Sequence, residues 1–136
     1  KNGAEICGYS YEQNIENIRK RMPDHDLSIY KRLTYIPRSF SFASDIQVSK
    51  KYRNVTSTAT CDAGIIIAGR WGTMNEFTNL YDMGKVIGVL TGTGGIADEL
   101  PKLNKKIHKK SKAKILFNDS PAELVKGVLH ELSEKT

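Results

Sequence analysis

The chain has 136 residues, 39% of them hydrophobic and 26% charged, with a net charge of +6. That length is enough to bury a core without metal or disulfide staples, and it predicts a single domain over residues 1–136. No apolar run is long enough to span a membrane, and the first residues lack the apolar core of a signal peptide, so the expected location is cytoplasmic. Cys7 and Cys61 form no Cys-x-x-Cys pair and, with three scattered histidines, no zinc pattern; the expectation is two buried free thiols and no metal. Asn54-Val55-Thr56 fits a glycosylation sequon, but nothing else points to secretion.

Taken in chain order, Ala4 to Tyr9 reads as a short strand and Tyr11 to Met22 as a helix with Ile15 and Ile18 on one face. Leu27 to Ile36 is rich in β-branched and aromatic residues and predicts a strand, ended by Pro37. Phe42 to Val55 has apolar residues at helical spacing, with Asp45 and Lys50-Lys51 outward. Ala63 to Ala68 is continuously apolar, as in a strand buried on both faces. A helix from Thr73 to Asp82 follows, with Met74, Phe77 and either Leu80 or Tyr81 inward, and then a buried strand from Lys85 to Leu90.

Thr91-Gly92-Thr93-Gly94-Gly95 is a glycine-rich turn, and Ile96 to Lys110 is mostly helical, with Pro101 expected in a first turn or at a kink. Ala113 to Phe117 is the last strand. Ser120 as N-cap, Pro121 at the first helical position and Glu123 closing a capping box open the final helix, whose buried stripe is Leu124, Val125, Val128, Leu129 and Leu132. Five strands alternating with helices predict an α/β fold: a doubly wound, mostly parallel, Rossmann-like sheet with helices on both faces.

The local signal for chemistry is the unit from Ile65 to Glu76 (IIIAGRWGTMNE), a strand ending in a turn with two glycines that opens a helix. Ligands of open parallel sheets sit beyond the carboxyl ends of the strands. Gly69 and Gly72 let backbone approach a ligand, Thr73 adds a hydroxyl and Arg70 a guanidinium, and the helix start favours phosphate. The turn is neither the dinucleotide fingerprint nor the Walker sequence.

This unit resembles the Pro-Gly-Gly-x-Gly-Thr-x-x-Glu motif of the LONELY GUY (LOG) phosphoribohydrolase family, long misnamed lysine decarboxylases. Arg53-Asn54 precedes Glu76 by twenty-three residues, as the family's arginine precedes its glutamate. Cys61-Asp62-Ala63 resembles the Ser-Asp-Ala that opens the family's motif strand, and Gly84 to Leu90 resembles its next strand. Thr91 to Leu100 looks most like the molybdenum-cofactor-carrier-like branch. Ala68 stands where proline is usual, and Arg70 where the second glycine is usual. The family begins with strands bearing a further glycine-rich loop that has no counterpart here, so the resemblance implies an N-terminally trimmed variant or a piece of a longer chain.

The resemblance implies cleavage of a nucleoside 5′-monophosphate to base and ribose 5-phosphate. Glu76 stabilises the oxocarbenium-like charge, Arg53 orients Glu76 or substrate, and Gly69, Arg70, Gly72, Thr73, Gly94 and Gly95 hold phosphate or nucleotide. No cofactor is required. The partner is a nucleotide or other phosphorylated small molecule, and the expected assembly is a homo-dimer or larger. The alternative is a non-catalytic nucleotide or molybdenum-cofactor carrier.

Plainer readings stand beside these. Thr73 to Glu76 is also an ordinary capping box, and Arg53 a surface cation near a helix end. Trp71 either stacks on a base or packs. The Thr91–Gly95 turn needs no ligand, and Asp98 serves the helix dipole. Seven lysines between Lys102 and Lys114 form either a solvated face or a nucleic-acid surface, although no aromatic residue is interleaved for base stacking.

Overall fold

A computed structural model describes residues 3–107 and 109–135. The chain divides into two compact units, the first ending at Ser57 and the second beginning at Thr58. Among the described residues no helix is long and apolar enough to cross a membrane.

In the first unit, strand β1 (Cys7–Tyr9) pairs in parallel with β2 (Arg32–Thr34), Gly8 opposite Leu33. Helix α1 (Ile15–Arg21) is shorter than its apolar spacing suggests because Asn14 caps it, accepting from the Asn17 N–H. The strand expected over Leu27 to Ile36 is reduced to β2. Asp26 accepts from the Ser28 N–H and starts a 3-10 turn over Leu27–Ile29, diverting the chain before it can pair. Helix α2 (Ile46–Thr60) begins after Asp45, not at Phe42. The Asp45 carboxylate accepts from the N–H groups of Gln47 and Val48, so it caps the helix instead of lying on its outer face.

The second unit carries a three-stranded parallel sheet, β3 (Ala63–Ile67), β4 (Val86–Leu90) and β5 (Lys114–Asn118), in that order. The α/β, Rossmann-like reading therefore holds, with the five strands paired as two sheets. In register, Ile66, Val89 and Phe117 share one face, and Ile65, Gly88 and Leu116 share the other. Helices α3 (Trp71–Asp82) and α4 (Gly95–Lys106) cover the first face, where Ile66, Phe77, Leu80, Ile87, Val89, Ala97 and Leu100 form the core. Helix α5 (Pro121–Glu134) covers the second, so close to β4 that a Cβ on Gly88 would lie 2.9 Å from Val128.

Helix α5 packs on β4 and β5. On β3 the same face is open, and Ile67, expected to be buried, is 58% exposed. The stripe of α5 is narrower than its sequence suggests. Leu124 and Val128 are buried, whereas Val125 is exposed and Leu129 is 61% exposed. Its capping box is half formed: Ser120 accepts from the Glu123 N–H, but the Ser120 N–H donates to Asn118 Oδ1. Helix α4 continues through Pro101 well past its first turn, at the cost of one internal hydrogen bond. The helix predicted to reach Lys110 ends at Lys106, and residue 108 lies outside the described residues.

The cysteines also differ from expectation. Cys7 is exposed, while Cys61 is partly buried and donates to the Thr58 carbonyl. Burial pushes the Cys61 thiol above its ordinary value, with Lys85 opposing. A thiol raised in the folded state holds its proton more tightly there than in the unfolded chain. Its stabilisation is complete below the ordinary thiol pKa and is lost as pH climbs through the folded value. We expect iodoacetamide at pH 8 to label Cys7 roughly tenfold faster than Cys61, read by peptide mass spectrometry. Equal labelling would place Cys61 in an open environment.

Candidate functional site

The turn between β3 and α3 is built from two loops that clasp each other. Ala68 has φ 47°, a left-handed conformation that no proline adopts, and its N–H donates to Thr93 Oγ1 at 2.8 Å. Both facts suit alanine at the position where the motif it resembles carries proline. Thr93 in turn donates to the Leu90 carbonyl, tying the loop to the end of β4. Across the clasp, the N–H groups of Ile96 and Ala97 donate to the carbonyls of Gly69 and Ala68, each at 3.0 Å. The first amides of α4 are thereby used internally. The Asp98 carboxylate accepts from the N–H groups of Gly92 and Gly94, at 2.6 and 2.9 Å.

Gly94 and Gly95 are explained by this clasp. Gly94 sits at φ 82°, ψ −174°, a region open essentially only to glycine. Gly95 has φ 59°, and a Cβ there would lie 2.3 Å from the Gly69 carbonyl oxygen. Gly69 itself has φ 92° and packs under the Thr73 side chain. Thr93 is a positioning residue that its place in the glycine-rich turn hinted at without specifying a role. Asp98 does more than favour the helix dipole, since it holds the loop's shape.

Helix α3 presents the opposite arrangement. It begins at Trp71, two residues before the predicted start, with Arg70 as an extended N-cap that makes no side-chain cap bond. For the N–H groups of Trp71, Gly72 and Thr73 no acceptor is found among the described residues. These amides carry the positive end of the helix dipole. Gly72 is exposed, and a Cβ on it would meet nothing within 4 Å. Unlike its neighbours, Gly72 answers no demand of folding, and its lack of a side chain leaves the surface above those amides open. Arg70 is exposed, and Trp71 is 81% exposed, so the only tryptophan does not pack.

The capping-box reading of Thr73 and Glu76 does not survive. Thr73 is the third residue of α3, inside the helix, and Glu76 lies in the second turn. At helical spacing Glu76 follows Gly72 by four residues and Thr73 by three, which brings all three to one side of the helix. Glu76 is half-buried, and among the described residues it has no hydrogen-bond or ion-pair partner. One turn further along, Asn79 Nδ2 is buried with no partner among them.

Arg53 belongs to the first unit. It lies on α2, where its Nε donates to Asn54 Oδ1 at 3.1 Å and its guanidinium stands 5.7 Å from the Tyr11 ring centre. Lys50 and Arg21 face the same ring, at 5.3 and 4.4 Å, so Arg53 joins a cation–aromatic group and is no simple surface charge. A cavity of about 170 Å³ in this unit is lined by Tyr9, Tyr11, His25, Tyr30 and Arg53 among others. Among the described residues no group of three or more His, Cys, Asp or Glu side chains is arranged to hold a metal.

No curated protein matches the sequence. The X-ray structure of TM1055 is similar in fold, with a TM-score of 0.69 over 94% of this chain and 17% identity. The chain spans 65% of that protein's length. Residues 38–125, which include α2, the β3–α3 turn and the loop clasped against it, match the SLOG cluster4 family. The chain belongs to that family, within the superfamily that also contains the LONELY GUY proteins.

Proposed function

We propose that the chain binds the phosphate of a nucleoside 5′-monophosphate at the first turn of α3 and hydrolyses its N-glycosidic bond. The observation that carries this reading is the set of amides at Trp71, Gly72 and Thr73 that find no acceptor among the described residues, beneath a glycine whose side-chain direction is open. Oxygens of a phosphate supply the acceptors these groups lack, and the exposed Arg70 adds a positive charge beside them. Gly69, Gly94 and Gly95 contribute through the clasp that holds the turn in place.

Glu76, one turn along, is the carboxylate for the glycosidic carbon. It stabilises positive charge developing on the ribose as the bond from C1′ to the base breaks, and accepts a proton from the water whose oxygen bonds C1′; that proton passes on to the departing base, which restores the carboxylate. The working assembly is a homo-dimer or larger. A second reading, a nucleotide or molybdenum-cofactor carrier without turnover, draws on the departures at Ala68 and Arg70 and on the carrier-like stretch from Thr91 to Leu100.

The test is a substitution that helps the helix and harms the ligand. Aspartate at position 72 suits the helix dipole and is expected to stabilise α3 by about 0.3–1 kcal/mol. The same charge repels phosphate. Thermal denaturation of Gly72→Asp should give a melting temperature at or above that of the parent. The upward shift that AMP and inorganic phosphate produce in the parent should vanish. If neither ligand shifts the parent, the phosphate site is wrong; if both shift parent and variant equally, phosphate binds elsewhere.

A further inference from the structure

A second candidate site lies wholly within the first unit, at the carboxyl ends of β1 and β2. Tyr9 is the last residue of β1, and the Ser10 N–H donates to the carbonyl of Thr34, the last residue of β2. Parallel strands present ligands at this end. The cavity of about 170 Å³ includes both Tyr9 and Ser10 in its lining. Its other aromatic walls are Tyr11, His25 and Tyr30, with Ile18 and Leu33 as aliphatic neighbours. His25 Nε2 and Tyr30 Oη stand 3.0 Å apart and hold each other in place.

The charge of this cavity is positive and uncompensated. No Asp or Glu is among the described residues that line it. Arg53 is half-buried in the wall, and only its Nε is used, donating to Asn54 Oδ1. The terminal nitrogens of its guanidinium find no acceptor among the described residues. Lys50, whose ammonium stands 5.3 Å from the Tyr11 ring centre, is also half-buried and has no ion pair among them. Arg21, the third cation at that ring, is already paired with Glu12. Ser10 Oγ accepts from the Glu12 N–H, and its own proton has no acceptor among the described residues.

We infer that this cavity binds a small planar carboxylate built on one aromatic ring. Size sets the ring count. An apolar protein cavity of about 150 Å³ takes up benzene, so one of this volume encloses a single six-membered ring with a short substituent. A nucleoside monophosphate, with base, sugar and phosphate, is too large for it. Chemistry sets the substituent. A guanidinium whose terminal nitrogens are both free matches the two oxygens of a carboxylate in one plane. Burial of the fork reduces the screening of its attraction for an anion. The tyrosine and histidine rings favour an aromatic ligand over an aliphatic one, because ring edges and faces attract each other. The phosphate turn at the start of α3 belongs to the second unit, so this inference does not depend on the hydrolase reading.

Titration of benzoate into the full chain, followed by calorimetry and by amide NMR spectra, tests it. We expect saturable binding with a Kd on the order of 0.1–1 mM, and shifts centred on the amides of Tyr9, Ser10 and Tyr11. Benzamide keeps the ring without the charge and should bind at least about tenfold weaker. Cyclohexanecarboxylate keeps the charge without the aromatic ring and should bind about threefold weaker or more. Arg53→Gln should weaken benzoate by about tenfold, and Arg53→Lys by about fivefold because it restores charge without the fork, both with an unchanged circular dichroism spectrum. The parent titration rests on no variant's folding. Absence of saturation up to about 10 mM, or shifts centred on the opening of α3 instead, overturns the inference. Equal binding of benzamide, or undiminished binding by Arg53→Gln, does the same. So does displacement of benzoate by AMP or inorganic phosphate at equal concentration, which would make the cavity part of a phosphate site.

Discussion

Replacing Glu76 by glutamine should lower the release of free base from a nucleoside 5′-monophosphate by roughly 10²–10⁴-fold, with KM changed little. The size follows from what glutamine lacks. It keeps the shape of the side chain and loses the charge that opposes an oxocarbenium ion, an interaction made mainly in the transition state. The parent side chain is half-buried with no partner among the described residues, so no fold-stabilising bond of Glu76 is lost and the melting temperature should stay within a few degrees. Chromatography of AMP digests measures kcat and KM directly. If the glutamine variant turns over at the parent rate, Glu76 is not the catalytic carboxylate. If the parent itself releases no base yet AMP still raises its melting temperature, the carrier reading replaces the hydrolase.

The fold was largely readable because its buried strands announce themselves. Val86 to Leu90 is apolar throughout and is buried along nearly all of its length. Ile65 and Ile67 break that pattern and are exposed, because an apolar run reports that a strand lies in a sheet and not whether each face finds a helix. Errors at helix ends share one cause. Asn14, Asp26 and Asp45 each accept from a backbone N–H two or three residues on, and these local bonds moved the starts of α1 and α2 and shortened β2.

For the candidate site, the glycines and the two flanking strands were visible in the sequence, but their division of labour was not. Gly72, Gly94 and Gly95 look alike in a string of letters. In the folded chain the amides of Ile96 and Ala97 donate into the opposite loop, while those opening α3 find no acceptor among the described residues. The role of Arg53 beside Tyr11 depends on side chains from α1 and α2 that no spacing rule connects.

That division of labour makes a sharp prediction about two glycines. Gly95→Ala places a methyl against the Gly69 carbonyl, a backbone atom that no side-chain rotation can move, and does so at a left-handed φ. The strain alone costs about 1–2 kcal/mol and the clash adds to it, so the expected loss is roughly 2–4 kcal/mol. For a unit of this size that is on the order of 10 °C or more in melting temperature. Gly72→Ala has neither problem, because its φ is not positive and nothing lies within 4 Å. It should be neutral or gain up to about 1 kcal/mol, since alanine favours a helix more than glycine does. Calorimetry on the two variants decides whether the loop clasp holds the turn. A Gly95→Ala protein as stable as Gly72→Ala would mean that the contact between the Gly69 carbonyl and the start of α4 is absent in solution. The amides at the start of α3 would then have lost the frame that aims them.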